Sequence, residues 1–366
     1  MFLKISKSQS IEKWNVGDLM IRVGIVGLGR MGMLHLMNCS KMDGVKVVAA
    51  ADSSKKALNK AKALHVDNLS TDYHDILNHP SGLDAVVLSL PNFMHFESIQ
   101  LALEAGLDVF AEKPLAISVG ECREIVGLVE KSGKKLMVGH AMRFVEALET
   151  MKQRLDKGQI GDLEVATIEE IINGPFSHPR VPAPVSDWWF DPKKSGGGAL
   201  LDVGYHMIDL FRFFAGDAEV VFSHLSYKLN LPVEDGAILV LRSPSSVKGI
   251  INIGWYQQTV FPKYNFRAIL HGTAGYLSSE DLVPHNLYLH AVKEGSKNVL
   301  RRIAGRKIRF LYYTYYYESF YKELVHFFDC IRNDSTPIVS AKDGLKTVEI
   351  IQAAYDSFHS KPTAQT

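Results

Sequence analysis

IRVGIVGLGRMG, from Ile21 to Gly32, is the stretch whose reading decides the fold of this chain. Val23, Ile25 and Val26 form a β-branched run suited to a buried strand, and the glycines after them are spaced as a turn into a helix. Gly27 permits the tight turn, Gly29 lets the backbone approach a pyrophosphate, and Gly32 lets the helix pack closely on the sheet. Arg30 and Met31 open that helix, whose free N–H groups and positive dipole end favour an anion. A glycine pattern of this kind also arises by chance, so its surroundings decide. A second apolar strand, Val45 to Ala51, ends at Asp52, where a carboxylate can accept hydrogen bonds from adenosine ribose hydroxyls. Strand, glycine turn, helix and acid in this order predict a dinucleotide cradle. Asp52 would repel the 2′-phosphate of NADP and pair with the free hydroxyl of NAD, so NAD is the expected cofactor. Ser53, Ser54 and Lys55 soften that preference, and capping of the next helix is a second use open to Asp52.

The chain has 366 residues, 46% hydrophobic and 22% charged, as expected of a globular protein of two domains. A formal net charge of +1 gives no global field to attract nucleic acid or an anionic membrane, so any basic patch must be local. Cys39, Cys122 and Cys330 are scattered without metal-ligand spacing; this suits a reducing cytoplasm and implies no metal. No run of eighteen apolar residues is present to span a bilayer. Residues 1–19 read as an extension without the apolar core of a signal peptide.

Downstream of Asp52 strands and helices alternate, with strands at Leu83–Leu88, Leu107–Ala111 and Lys135–Val138. The alternation predicts a doubly wound parallel sheet with ligands outside the strand C-termini. Beyond Gly139 come longer strands in succession: Leu163–Ile172, Val220–Leu229, Gly236–Leu241, Val247–Trp255, Phe266–His271 and Asn286–His290. These predict an α+β domain with a large, mainly antiparallel open sheet. Three clusters then fall where chemistry is expected. Pro91, Asn92 and His95 follow the third long strand as cofactor contacts or as a simple capped turn. Glu112, Lys113 and Pro114 follow the fourth, aiming the Lys113 ammonium at the nicotinamide unless Lys113 forms a surface pair with Glu112. Gly196–Leu210 (GGGALLDVGYHMIDL) sets Asp202 and His206 four apart on one helix face. Oxidation of a carbinol needs a base near neutrality, which an imidazole supplies; Lys113 would stabilise the alkoxide, and Asp202 would hold a hydroxyl or orient His206. A capped helix with a structural histidine is the competing reading.

These pieces, with PN…H at 91–95, EKP at 112–114, VGHAMRF at 138–144 and AKDGLKTVEIIQAAYDS at 341–357, make the chain resemble the glucose-fructose oxidoreductase, inositol dehydrogenase and MocA family. The resemblance runs from Ile21 to about Ser360 and is specific for the family, not for a substrate. It implies a Rossmann domain at 20–143 and a substrate-binding and oligomerisation domain at 144–366 whose sheet forms homo-oligomer contacts. It also implies NAD(P)-dependent oxidation or reduction of sugars or polyols. Lys113 matches the EKP lysine, and Asp202 and His206 match the DxxxH pair of the inositol dehydrogenase branch. Arg143 matches a basic position that contacts substrate or orders the domain junction, while His140 departs from the family pattern and is either a cleft donor or a satisfied histidine.

Two regions stand apart as tuners of specificity. Asn173–Lys194 is proline-rich and carries Trp188, Trp189 and Phe190, which suit either a sugar-facing lid, with Trp189 on substrate, or a packed loop. Lys297–Arg309 is a basic run suited to a diphosphate, an acidic sugar, an anionic surface or a plain solvated hairpin. The sequence therefore supports an NAD-dependent sugar or polyol dehydrogenase. Its rivals are a UDP-sugar 3-dehydrogenase, a glycosidase that oxidises transiently, and a sensor that binds NAD or sugar without turnover.

Overall fold

The computed structural model describes residues 20–80, 82–176, 186–256, 266–306, 308 and 314–360. The extension at 1–19, residues 177–185 of the proline-rich stretch, and Lys307 and Arg309 of the basic run lie outside these. In chain order the first half is β1 (Ile21–Val26), α1 (Arg30–Cys39), β2 (Val45–Ala51), α2 (Lys55–Ala63), β3 (Asn68–Ser70), α3 (His74–Leu77), β4 (Ala85–Leu88), α4 (His95–Glu104), β5 (Asp108–Glu112), α5 (Val119–Ser132) and β6 (Leu136–Gly139). Its strands form one parallel sheet in the order β3-β2-β1-β4-β5-β6. The order reverses between β1 and β4, which opens a crevice at the strand ends beside Gly27.

The second half begins with α6 (Glu146–Asp156) and β7 (Leu163–Ile171), then a short helix α7 (Pro192–Ser195) and α8 (Tyr205–Ala215). It continues with β8 (Glu219–Ser226), β9 (Gly236–Arg242), β10 (Lys248–Gly254), β11 (Phe266–Gly272) and β12 (Gly275–Ser278), and ends with α9 (Leu287–Ile303), α10 (Thr314–Arg332) and α11 (Ala341–His359). Its sheet runs β12-β11-β7-β10-β9-β8; only β7–β10 is parallel. Side chains alternate along β7, β9 and β10, so one face packs on α8 and the core while the other exposes Ile238 and Ile250.

One expected strand is corrected. Asn286–His290 is the start of α9, because the Asn286 side chain accepts from Tyr288 N and Leu289 N at 3.0 Å and caps a helix. Residues 297–303 of the basic run are therefore helical and not part of a hairpin. Two helices tie the halves together. Leu324, Phe327 and Phe328 of α10 pack with Ile21, Val23 and Ile25 on one face of the first sheet. Val339, just before α11, accepts from Val138 N at 3.0 Å and extends the β6 edge, and α11 then packs on both α5 and β8.

Candidate active site

The glycine turn is built as its spacing requires. Gly27 has φ +82°, and a Cβ there would sit 2.4 Å from the Ser89 carbonyl oxygen; at Gly32 it would sit 1.7 Å from the Gly27 carbonyl oxygen. At Gly29 a Cβ would meet nothing within 4 Å, so the gap above this residue is open to a ligand. Gly29 is also the N-cap of α1 and offers no side-chain cap, which leaves helix N–H groups for an anion. These features fit a dinucleotide pyrophosphate. Arg30, expected among the cofactor contacts, donates to the Tyr317 hydroxyl of α10 at 2.5 Å, and Met31 is half-buried beside it.

Asp52 stands at the end of β2 and braces the same loop. Its Oδ2 accepts from Leu28 N at 2.6 Å and its Oδ1 from Ser54 N at 2.7 Å, while Ser54 caps α2 through a bond from Ala57 N. The carboxylate thus joins the glycine loop to the α2 entrance, with lone pairs left for hydroxyls. Pro91 and Asn92 follow β4 at the crevice, and Asn92 Nδ2 donates to the Ser195 carbonyl at 2.8 Å across to α7. His95 is 1% exposed, with its ring nitrogens 2.6 Å from the Pro114 carbonyl and 2.9 Å from the Leu90 carbonyl. Both nitrogens are committed to the backbone, so the expected direct cofactor contact is corrected to support of the Lys113–Pro114 turn.

Lys113 does not pair with Glu112. Its Nζ donates to Asp202 Oδ1 at 2.7 Å and to the Asp202 carbonyl at 2.9 Å, with both side chains 18% exposed. Glu112 turns instead to His35 Nε2 at 2.6 Å; burial raises its carboxyl, but that bond and neighbouring charges outweigh burial and hold it below the ordinary range. The second Asp202 oxygen accepts from Trp255 Nε1 at 3.2 Å. Asp202 is therefore fixed by Lys113 and Trp255, and no hydrogen bond joins it to His206 among the described residues. A π-helical turn, Leu200–Gly204, presents Asp202 ahead of α8.

His206 lies on the first turn of α8, half-buried, with Nδ1 enclosed and unpaired among the described residues, so Nε2 is left for the cleft. Burial, and then the charge of Lys113, hold its imidazole well below the ordinary range, so at neutral pH it is an unprotonated base. Behind it His140 is fully buried, stacked on Tyr205 at 4.9 Å and edge-on to His206 at 5.9 Å. Burial pushes the His140 imidazole down to about 4. His140 is thus a backing residue and not a cleft donor. Arg143, also buried, forks onto Asp209 at 2.7 and 2.5 Å and donates to the Ile338 carbonyl at 3.0 Å. These bonds tie α8 to the chain just before α11 and order that junction. Trp189 stacks on Trp188 at 5.0 Å, and Trp188 lies edge-on to Phe93, forming an aromatic wall beside Asn92.

Sequence reading missed Trp255, His35 and Glu234. Glu234 Oε1 accepts from Gly198 N and Leu200 N at 2.9 Å and from the Tyr355 hydroxyl at 2.8 Å, and a Cβ at Gly198 would sit 1.9 Å from the Glu234 carbonyl oxygen. That close approach accounts for a glycine in the GGG run and fixes the turn that delivers Asp202.

Comparison with known proteins gives the same frame. Residues 21–140 match the model of the oxidoreductase family with an NAD-binding Rossmann fold, and residues 148–278 match the GFO/IDH/MocA C-terminal domain. The chain is 28% identical over 348 residues to scyllo-inositol 2-dehydrogenase (NAD(+)) of Bacillus subtilis, covering 93% of this chain and 94% of that protein. It is 26% identical over 350 residues to myo-inositol 2-dehydrogenase of Thermotoga maritima, covering 93% and 97%. Among solved structures, scyllo-inositol dehydrogenase of Lactobacillus casei with bound NAD(H) and scyllo-inositol superposes with a TM-score of 0.74 at 24% identity over 93% of this chain and 97% of that one.

Proposed function

Because the chain belongs to the GFO/IDH/MocA family of NAD-binding oxidoreductases, we propose that it interconverts a secondary alcohol and a ketone on a cyclic polyol, a sugar or a sugar derivative. The observation that carries this reading is the Lys113–Asp202 pair beside a neutral His206 at the open end of the dinucleotide cradle. When bound, NAD supplies the hydride acceptor, held by Gly27, Gly29 and Gly32, by the α1 N-terminus and by Asp52. Lys113, anchored by Asp202, donates to the carbinol oxygen and stabilises the charge that develops as its proton leaves. Neutral His206 takes that proton at Nε2. The adjacent ammonium disfavours the imidazolium, so His206 releases the proton readily and is reset. Asp202 keeps the ammonium aimed and offers its remaining lone pairs to a neighbouring hydroxyl. The Trp188–Trp189 wall provides an apolar surface for the C–H face of a ring. The inositol dehydrogenases among its relatives support a free polyol as substrate.

The test is the rate of NADH formation or loss over inositols, free sugars, their keto forms, UDP-sugars and aryl glycosides. Turnover of a free polyol or sugar with net NADH supports the reading. Turnover confined to UDP-sugars, or aglycone release without net NADH, moves the protein to one of its rivals, and tight NAD binding with no turnover makes it a sensor.

A further inference from the structure

Helix α9 is inverted relative to an ordinary surface helix. Its outward side carries Tyr288, Leu289, Val292, Val299, Leu300 and Ile303, each 60–78% exposed, while Glu294 and Asn298 are only 8% exposed on the inward side. At about 100° per residue those six apolar residues fall within an arc of about 120°, with the buried Glu294 opposite its centre. Cations border the arc on both sides: Lys293 lies about 20° beyond Leu300, Lys297 follows it, and Arg302 lies about 40° before Tyr288. The inward face is anchored. It packs on α10, where the His290 ring meets Tyr315 edge-on, while within the helix Glu294 pairs with Lys297 and Arg301 donates to Asn298 at 2.9 Å. The outward apolar arc is therefore presented by a helix whose other side is fixed on the body of the protein.

We propose that α9 docks the protein on an anionic membrane surface. An interfacial helix needs an apolar stripe to enter the headgroup boundary and basic side chains at its margins to reach lipid phosphates, and α9 has both. Charge complementarity selects this occupant over a second copy of the chain. Lys293 and Arg302 border the arc on opposite sides, and the sole acid of the helix, Glu294, is buried on the inward side and paired with Lys297, so two such faces would repel, whereas anionic headgroups neutralise them. The helix lies along the surface and does not enter as a span, since no helix among the described residues is long and apolar enough to cross a membrane. Membrane docking gives the basic run a role independent of the oxidoreductase chemistry and would place the enzyme where lipid-linked or membrane-delivered substrates arise.

The test uses the full chain with NAD and phosphatidylcholine vesicles that either lack or contain about one-third phosphatidylglycerol, read by flotation. Wild type floats with the anionic vesicles and is released by salt. Lys293→Gln/Arg302→Gln lowers the partition coefficient about thirtyfold, at about fivefold for each charge removed. Val292→Asp/Ile303→Asp abolishes flotation while NAD binding and thermal unfolding stay as in wild type, because both positions face solvent. Wild type that remains in solution with anionic vesicles overturns the proposal. So does a Val292→Asp/Ile303→Asp variant that floats undiminished, or one whose only change is a smaller oligomer by light scattering, which would make the face a contact between copies.

Discussion

Replacing Lys113 by Met removes one ammonium and leaves the volume of the side chain nearly unchanged. The proposed mechanism gives that ammonium two effects, and they can be read separately. It sits 2.7 Å from Asp202 with both side chains 18% exposed, so solvent screens it far less than a surface lysine. Loss of one preorganised donor to a developing oxyanion costs about 3–4 kcal/mol, so kcat should fall on the order of a hundredfold to a thousandfold. The same charge, after burial, helps hold the His206 imidazole down. Without it the imidazole rises toward the ordinary value of about 6.5, and the acidic limb of the rate of alcohol oxidation moves to higher pH. The assay is kcat and kcat/KM against pH for wild type and Lys113→Met, with NAD affinity measured by titration and Lys113→Arg as a folding control. A loss of less than tenfold would refute the reasoning, as would an equal loss in NAD affinity or an acidic limb that stays in place.

The glycine cradle separates folding from binding. Gly29→Ala should leave the melting temperature unchanged while weakening NAD at least tenfold, since a methyl group there meets no protein atom but enters the phosphate gap. Gly32→Ala should fail to fold stably in the same thermal scan, because its Cβ would lie 1.7 Å from a backbone oxygen. Arg143→Met should destabilise the protein by about 3–5 kcal/mol in denaturant titration, by stranding Asp209 in the interior, with the KM for substrate little changed in the folded fraction. His140→Phe should flatten the acid side of the stability curve. The His140 imidazole is near 4 in the folded protein and about 6.5 when unfolded, so the unfolded chain binds the extra proton between these values. Wild type therefore loses stability as pH falls through that window, by up to about 3 kcal/mol, and the variant should not lose this share in melts taken across it.

The cofactor half of the site was legible because its information is local. Three glycines and an acid at fixed spacing prescribe a turn, a close approach and a carboxylate at a strand end, and Gly27, Gly32 and Asp52 stand in those places. Lys113, Asp202 and His206 were legible as types at strand and helix ends, but their pairing was not. Lys113 and Asp202 are 89 residues apart, and Trp255, which holds the other Asp202 oxygen, is 53 beyond it. Sequence spacing within one segment cannot reveal such contacts. For His95, Arg143 and His140 the sequence left a cleft role and a structural one open for the same reason: each is polar and near a strand end, and the partners that enclose it come from distant segments. The error at Asn286–His290 was one of period. Its short apolar run Leu287–Leu289 between polar residues suits either a strand or a helix, and the Asn286 cap starts a helix whose apolar side faces outward.

The central claim is that neutral His206, beside the Lys113–Asp202 pair, moves the proton in an NAD-linked alcohol oxidation. Its most direct test is the rate of NADH formation on the best substrate of the panel, comparing wild type with His206→Asn and measuring NAD affinity alongside. The account predicts a fall on the order of a hundredfold to ten-thousandfold in kcat, loss of the acidic limb from the pH profile, and NAD affinity within about threefold of wild type. Turnover by His206→Asn at the wild-type rate, with the acidic limb intact, would contradict it.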